Sequence, residues 1–285
     1  MKKLIYILCL FLILTSGAQA GWEKLWDGPV GTVVVRYDPP DKTVLFATRQ
    51  DTGDIYRYSP DNRYWEKVGG PGKMFIATRE ALYGLSPDSQ GVWMFTGKAD
   101  KWTQVGGASS AIYGGGLYLL ATNPDTGDLY KYDGTPMKWH KIGGPGKDFV
   151  VTNSRLIFGL SPDANGVWQY NSDLNWKQIG GPAREIYSPT VATGLYATNP
   201  DTGDIYSYDL LSQKWTRIGG PGKMFAADDW NNLYGLSNDG SIVWKYMGVP
   251  DDWEQIGGPA GEIYAAGKDL YIVSPHTRML YHYVP

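Results

Sequence analysis

The sequence predicts an all-β protein, a seven-bladed β-propeller built from four-stranded blades. The first observation is a repeated segment in which a tryptophan is followed by two polar residues, an aliphatic residue and, in most copies, Gly-Gly-Pro. Repeats of about 40 residues are typical of solenoids, arrays and propellers. The second is the composition, since 12 Trp, 21 Tyr and 37 Gly are typical of short aromatic strands joined by tight turns. The repeated tryptophans are Trp22, Trp65, Trp102, Trp139, Trp176, Trp215 and Trp253.

Each repeat contains four segments of strand length, separated by Gly, Pro, Asn or Asp. The repeat that begins at Trp139 shows them at Trp139–Ile142, Phe149–Thr152, Leu156–Leu160 and Gly166–Tyr170. Four strands in a repeat of this length are the content of a propeller blade. A solenoid would show one short strand in a shorter repeat, and a TPR-like array would show helices.

The first 20 residues have the pattern of a secretory signal peptide. Basic residues at the start are followed by an apolar run from Leu4 to Leu14, and Ala18 and Ala20 are small residues placed for cleavage. A membrane anchor would need about 17 to 25 apolar residues, which is longer than this run. We therefore expect residues 1–20 to be a signal peptide and residues 21–285 to be a single propeller domain, secreted or periplasmic, with no membrane span after cleavage.

The ends of the chain predict how the ring closes. The mature chain opens on the Trp22 segment, and the Trp segment is expected to be the outermost strand of a blade. Residues 262 to 283 would then supply three strands of the last blade, and Trp22 to Trp26 its fourth. The only cysteine, Cys9, lies in the signal, so no disulfide is available and the core must hold the fold.

The seven tryptophans are interpreted as structural anchors that fill equivalent gaps between neighbouring sheets. The alternative, that they contact a ligand, is the less economical explanation for seven equivalent indoles.

Charge and motifs exclude several kinds of function. The formal charge of −3 becomes −5 when Lys2 and Lys3 leave with the signal, and scattered basic residues argue against nucleic acid as a partner. Paired histidines at metal spacing, a nucleophile elbow and a phosphate-binding loop are all absent from the sequence. We predict no catalytic residue, no metal and no cofactor, and we expect that the protein is not an enzyme.

Turns rich in Asp and Gly recur between the third and fourth segments, as at Asp51–Asp54, Asn123–Asp128 and Ser161–Gly166. Asp accepts hydrogen bonds from nearby backbone amides and Gly adopts positive φ, so these turns are self-supporting. They resemble the Asp-box turn of sialidase-type propellers, which is structural in those enzymes. Calcium is an alternative use of the carboxylates, but each turn offers one or two, short of the six to eight oxygens that calcium takes.

Two forms of the repeat alternate along the chain. One carries Ala-Thr-Asn-Pro-Asp-Thr-Gly-Asp before a tyrosine, as at residues 121–130 and 197–206, and the other carries Gly-Leu-Ser and then Val-Trp, as at 159–168. The loop after Gly-Gly changes in step, with a lysine in one form and a glutamate in the other. Descent from a duplicated pair and a repeated binding pocket both explain this alternation. The loop residues are Lys73, Lys147, Lys223, Glu185 and Glu262.

The order Trp-x-x-Ile-Gly-Gly, Ile-Tyr-Ala, Leu-Tyr-Ala-Thr-Asn and Asp-Ile-Tyr-x-Tyr resembles the tectonin-type propeller repeat of fish-egg lectins and tachylectin-like proteins, over residues 22 to 283. The resemblance implies multivalent carbohydrate or glycoconjugate binding without catalysis, at loops between adjacent blades. The five loop residues are the predicted polar contributors, and solvated loop charge is their alternative role. A protein-interaction scaffold outside the cytoplasm is the second functional hypothesis.

Overall fold

The computed structural model describes residues 21–38, 42–188 and 194–284, and the predicted signal peptide lies outside them. These residues form 28 β-strands, arranged as seven antiparallel sheets of four strands. Blade 1 contains β2 (Val30–Asp38), β3 (Lys42–Arg49), β4 (Ile55–Ser59) and β5 (Tyr64–Gly69). Blade 2 contains β6 (Met74–Ala77), β7 (Leu82–Leu85), β8 (Val92–Phe95) and β9 (Trp102–Gly106). Blade 3 contains β10 (Ile112–Tyr113), β11 (Leu120–Thr122), β12 (Leu129–Tyr132) and β13 (Trp139–Gly143).

The remaining blades repeat this order of strands. Blade 4 contains β14 (Asp148–Val151), β15 (Ile157–Leu160), β16 (Val167–Ser172) and β17 (Asn175–Gly180). Blade 5 contains β18 (Ile186–Tyr187), β19 (Gly194–Thr198), β20 (Asp204–Asp209) and β21 (Lys214–Pro221). Blade 6 contains β22 (Met224–Ala227), β23 (Leu233–Leu236), β24 (Val243–Tyr246) and β25 (Trp253–Gly257). Blade 7 contains β26 (Glu262–Ala266), β27 (Asp269–Val273), β28 (Leu280–Tyr283) and β1 (Trp22–Lys24).

The first strand of each blade lies on the inside of the ring, and each of these inner strands contacts the inner strands of both neighbouring blades. The circuit closes because β2 contacts β26 as well as β6. In blade 7 the N-terminal strand β1 pairs antiparallel with β28, with Trp22 opposite Tyr283 and Lys24 opposite Tyr281. The predicted seven-bladed propeller, closed by the N-terminal strand, is confirmed.

Six of the repeated tryptophans share one hydrogen bond. In these six repeats the indole Nε1 donates to the carbonyl of the aliphatic residue in, or for Trp65 directly after, the preceding blade's outer strand, as from Trp102 to Val68 at 2.8 Å. In five of these repeats the aliphatic residue is followed by a glycine that lies against the same ring. A Cβ added at Gly69 would meet Trp102 Nε1 at 2.8 Å, so only glycine allows this close approach. The other five donors are Trp65, Trp139, Trp176, Trp215 and Trp253.

Trp22, at the closing seam, differs from the other six. Its side chain is buried, yet its Nε1 has no hydrogen-bond partner among the described residues. Its ring packs on Tyr283 of the paired strand, with centroids 5.0 Å apart. Burial of the Trp22 side chain and its contact with Tyr283 therefore hold strand β1 in blade 7, where the indole hydrogen bond is missing.

The core consists of apolar layers between neighbouring sheets. In the layer between blades 4 and 5, Phe158 and Leu160 pack against Ile186 and Leu195, and all four are buried. Alternation of inward and outward residues along each strand places one apolar side chain per pair in such a layer. The fold therefore rests on seven repeated interfaces and not on one central core.

The Asp-rich turns hold their own backbone as predicted. Asp163 accepts hydrogen bonds from the Ser161 hydroxyl at 2.6 Å and from the Asn165 amide at 3.1 Å. The prediction that glycine supplies the positive φ holds at Gly53, Gly127, Gly203 and Gly240. It is wrong in the turns of blades 2 and 4, where Ser89 and Ala164 adopt positive φ, since the hydrogen bonds to the turn Asp outweigh the steric cost for these small side chains.

Candidate functional site

One face of the ring collects two kinds of loop from every blade. The loop that leads into an inner strand carries Gly-Gly-Pro in five of the blades, and the turn between the second and third strands is rich in Asp in blades 1 to 6. In blades 3 and 5 the turn packs on the proline of the loop, since a Cβ at Gly127 would lie 3.2 Å from Pro145 and one at Gly203 would lie 2.9 Å from Pro221. In blades 2, 4 and 6 the turn and the loop are joined by a backbone hydrogen bond, as from the Ala183 amide to the Ala164 carbonyl at 3.0 Å. We call this side the pocket face and the other side the opposite face.

The pocket face contains three cavities at equivalent positions in blades 3, 4 and 5, which we call the blade pockets. Each is bounded by the Gly-Gly loop that precedes the blade, by the end of the second strand, and by two aromatic rings of the third and fourth strands. Their volumes are about 160, 310 and 300 Å³ in blades 3, 4 and 5. The paired rings are Tyr130 with Trp139, Trp168 with Trp176, and Tyr206 with Trp215.

The pocket of blade 5 combines these rings with a small number of polar groups. Ala197 and Ala183 leave space beside Tyr206 and Trp215. The Asn199 Oδ1 accepts from the Asp201 and Thr202 amides at 2.9 Å, so this oxygen is committed to the turn. Among the described residues, the side-chain nitrogen of Asn199 has no hydrogen-bond partner, so it is available to a ligand oxygen. An apolar wall with a few fixed polar groups is the usual constitution of a small-ligand site.

None of the three predicted loop lysines lines a blade pocket. Each side-chain amine reaches the backbone of the next blade: Lys147 Nζ donates to the Arg184 carbonyl at 3.2 Å and Lys223 Nζ to the Gly261 carbonyl at 3.0 Å. Lys73 Nζ donates to the Ser110 carbonyl at 3.3 Å, and within its own blade to the Ser89 hydroxyl at 2.8 Å. These contacts link blades, and a role of the three lysines in ligand binding stays a prediction.

The two predicted glutamates stand at the start of inner strands, where each binds a tyrosine. Glu185 accepts from the Tyr187 hydroxyl, and Glu262 accepts from the Tyr264 hydroxyl at 2.5 Å and pairs with Arg278 at 2.9 Å. Burial is the larger cause that raises the pKa of both phenols, and the hydrogen bond to the carboxylate is the second. Both glutamates are thus bound to side chains of the propeller, and ligand binding by them also stays a prediction.

Asp148 occupies the position in blade 4 that Glu185 occupies in blade 5. Burial raises the pKa of the Asp148 carboxyl to about 6, and the charge of Glu185 adds to this effect. The Phe149 amide donates to Asp148 Oδ1 at 2.8 Å and opposes the shift. Asp148 is therefore an inner-strand carboxyl on the pocket face whose pKa is strongly raised. The sequence alone did not indicate this property.

The ring residues Tyr130, Trp168 and Tyr206 were identified in the sequence only as aromatics that follow a turn. Their fixed distance from the turn Asp was the available signal, because it places them on the third strand beside the outer tryptophan. Each pocket combines this ring with the fourth-strand tryptophan and with the Gly-Gly loop that precedes the blade. These three parts come together only when neighbouring blades are packed in the ring of sheets, so the sequence did not show the pocket.

The opposite face has a larger cavity of about 1080 Å³ near blades 1, 2 and 7. Several of its charged groups are paired: Arg36 contacts Asp38 at 3.5 Å and Arg57 contacts Glu66 at 2.6 Å. No group of three His, Cys, Asp or Glu side chains in the described ranges is placed to hold a metal ion. Several carboxylates of the Asp-rich turns are likewise engaged, as in the 2.7 Å pair of Lys141 with Asp128.

Seven four-stranded sheets in a closed ring, with repeated pockets between blades on one face, define the chain as a seven-bladed β-propeller. No protein-family model and no curated protein matches the sequence. The chain is similar in structure to YCF48 from Cyanidioschyzon merolae, at 11% identity and a TM-score of 0.67, over 93% of this chain and 99% of that one. It is similar to virginiamycin B lyase from Staphylococcus aureus at 9% identity and 0.64, over 93% and 98%.

A third similar structure is the extracellular domain of BT4673 from B. thetaiotaomicron, at 12% identity and a TM-score of 0.63. The match covers 93% of this chain, which spans 40% of the length of that domain. At these identities the likeness concerns the fold, and it places the chain among propellers that include an extracellular domain and one enzyme. None of the three is a tectonin or a lectin. No helix long and apolar enough to cross a membrane occurs in the described part of the chain.

Proposed function

We propose that the protein is a non-catalytic, extracytoplasmic binding protein that recognises carbohydrate at the blade pockets. The observation that carries the proposal is the recurrence of one pocket, with the same two-ring wall, in three consecutive blades. An aromatic ring offers its face to the C–H groups of a sugar, and amide groups such as that of Asn199 offer hydrogen bonds to its hydroxyls. The cavity volumes suit a single sugar residue or a short terminal unit.

Repetition gives these small sites their value. Single sugar sites are weak, but several sites on one rigid ring raise the avidity by a factor of roughly 10² to 10⁴ when the ligand array reaches them together. The resemblance to tectonin-type lectins supports the same function. Residues 1–20, as a signal peptide, would deliver the domain of residues 21–285 to a compartment where glycans are displayed.

The test is a glycan array followed by titration calorimetry of the best ligand. We expect Tyr206→Ala and Trp168→Ala to weaken binding to glycan-coated surfaces more than to a monovalent sugar, because each removes one of several sites. The matched control is Trp230→Ala, which removes an indole that is 60% exposed on the opposite face. An array without ligands, or binding that both pocket variants retain in full, would contradict the proposal.

A protein-interaction scaffold is the second candidate, favoured by a different observation. On the opposite face, the turns between the third and fourth strands of four consecutive blades expose apolar side chains. These side chains are Met137, Leu174, Leu211 and Val249. YCF48, which shares the fold, has been solved bound to D1 peptide. Capture of a partner that Leu174→Ser and Leu211→Ser release, and that free sugar does not, would support this function.

A further inference from the structure

The first repeat differs from the other six at one position next to the outer strand. Where the others have a glycine directly after the aliphatic residue of the outer strand, the first has Trp26 after Leu25. At the pocket of blade 5 the equivalent residue is Gly180 of blade 4, which lies so close to Trp215 that a Cβ would meet its Nε1 at 3.0 Å. Repeats with glycine therefore have no side chain at this point, and the blade pocket is the space beside it.

The Trp26 side chain lies against the same walls that line the blade pockets. Its ring centroid is 5.2 Å from that of Tyr56, at an interplanar angle of 84°, and 4.4 Å from that of Trp65, at 68°. It also packs on the apolar cluster that contains Ala47. In the sequence of blade 5 these three wall residues correspond to Tyr206, Trp215 and Ala197, and all three line its pocket.

We infer that Trp26 is a built-in occupant of the blade 1 pocket, and that the pockets of blades 3 and 5 bind a tryptophan side chain presented by a peptide. The inference rests on the proposed function in taking the blade pockets as binding sites, and it assigns them a further ligand class. The walls are shared, and the chain itself shows which group they accept. Edge-to-face contact with two rings at once is the arrangement that aromatic pairs prefer.

Recognition is through the side chain and not through the peptide backbone. In blade 1 the Trp65 Nε1 donates to the Leu25 carbonyl at 2.9 Å, directly before the inserted indole. In blade 5 the corresponding Trp215 Nε1 is already bonded to the Ile179 carbonyl at 2.7 Å. A peptide from outside therefore gains the two ring contacts but not that hydrogen bond. Short peptides should bind weakly and multivalent partners well.

The direct test uses wild-type protein and N-acetyl-tryptophanamide, followed by calorimetry and ligand-observed NMR. A capped Leu-Trp-Asp-Gly-Pro peptide, which copies residues 25–29, is the second probe, with Leu-Ala-Asp-Gly-Pro as its control. We expect millimolar binding of both tryptophan probes, none of the alanine peptide, and at least a fivefold loss in the Tyr130→Ala, Tyr206→Ala double variant. Trp230→Ala, on the opposite face, should bind as wild type does.

The built-in occupant is tested separately with Trp26→Ala. We expect a lower melting temperature that 3-methylindole raises again, with Trp26→Phe intermediate and insensitive to the additive. Failure of 3-methylindole to act on Trp26→Ala would overturn the occupancy. Absence of binding by N-acetyl-tryptophanamide to wild type, or binding that the double variant retains, would overturn the ligand class, and this arm does not depend on the folding of Trp26→Ala.

The two proposals for the blade pockets fail in different ways. Glycan binding without tryptophan binding would overturn this inference and leave the carbohydrate function standing. Tryptophan binding without glycan binding would support the inference and contradict the carbohydrate function. Loss of both would remove the blade pockets as binding sites.

Discussion

The indole Nε1 of Trp176 in blade 4 donates a hydrogen bond of 2.7 Å to the Ile142 carbonyl in blade 3. A single side chain thus closes the gap between two sheets with both a ring and a polar contact. The same contact recurs in five other blades, so the ring is held by a repeated unit and each copy can be tested alone.

Trp176→Ala should lower the free energy of unfolding by about 3 to 5 kcal/mol, because it removes a large ring from between two sheets. Trp176→Phe keeps a ring but leaves the Ile142 carbonyl without its donor, which should cost about 1 to 3 kcal/mol. Urea unfolding monitored by circular dichroism measures both. Trp230→Ala should stay within about 0.5 kcal/mol of wild type, and an equal loss in all three variants would refute the interface role.

Gly143 and Gly144 are neighbours in sequence with opposite surroundings. A Cβ at Gly143 would meet Trp176 Nε1 at 2.9 Å, whereas a Cβ at Gly144 would meet nothing within 4 Å. We expect Gly143→Ala to destabilise by about 1 to 3 kcal/mol through overpacking, and Gly144→Ala to be nearly neutral. Melting temperatures of the two variants decide this, and a reversed order would show that the indole can move aside.

Removal of residues 21–30 should destabilise the whole domain and not blade 7 alone. The deletion takes away β1, the buried ring of Trp22 and the seam between the last and first blades. Calorimetry should show a single transition at a clearly lower temperature than for residues 21–285. An unchanged melting temperature would mean that ring closure contributes nothing to stability.

Asp148→Met should make the protein more stable at neutral pH and change how its stability depends on pH. The folded carboxyl has a pKa of about 6 because of burial, above the ordinary value of 3.8. As pH rises from about 4 to about 6, the unfolded chain releases its proton first, so the wild type loses stability over this window. The gain at pH 7 should be about 1 to 3 kcal/mol. Methionine is the residue that blades 2 and 6 have at this position, as Met74 and Met224.

Melting temperatures of wild type and Asp148→Met between pH 4 and pH 7 measure this effect. The two proteins should be closest in stability near pH 4 and should diverge as the pH rises. Parallel curves would show that the Asp148 carboxyl does not titrate with a raised pKa in the folded protein.

The period of the tryptophans was enough to predict the number of blades, the order of strands and the closing strand, because each depends on a pattern that repeats. The turn hydrogen bonds of Asp163 followed from local chemistry alone. The role of Trp26 could not be predicted from the sequence, because it depends on contacts with Tyr56 and Trp65. These residues lie 30 and 39 positions further on and become neighbours of Trp26 only in the folded propeller.

The loop charges show a second limit of sequence analysis. Lys147 has no acceptor near it in sequence, and the propeller supplies one from the next blade, the Arg184 carbonyl. The partner of Glu185 is Tyr187, only two residues further on, but the sequence did not show that the two side chains meet. The alternation of repeat forms places tyrosine in the pockets of blades 3 and 5 and tryptophan in that of blade 4, which descent alone and function both still explain.

Strand β1 is three residues long, and the Val284 amide donates to the Gly21 carbonyl just beyond it. A force that pulls the two termini apart would load this short ladder before any other part of the molecule. The remaining six sheets would stay shielded until it yielded. Tethered at one end to a surface and at the other to a cargo, the protein would behave as a mechanical latch that opens at blade 7.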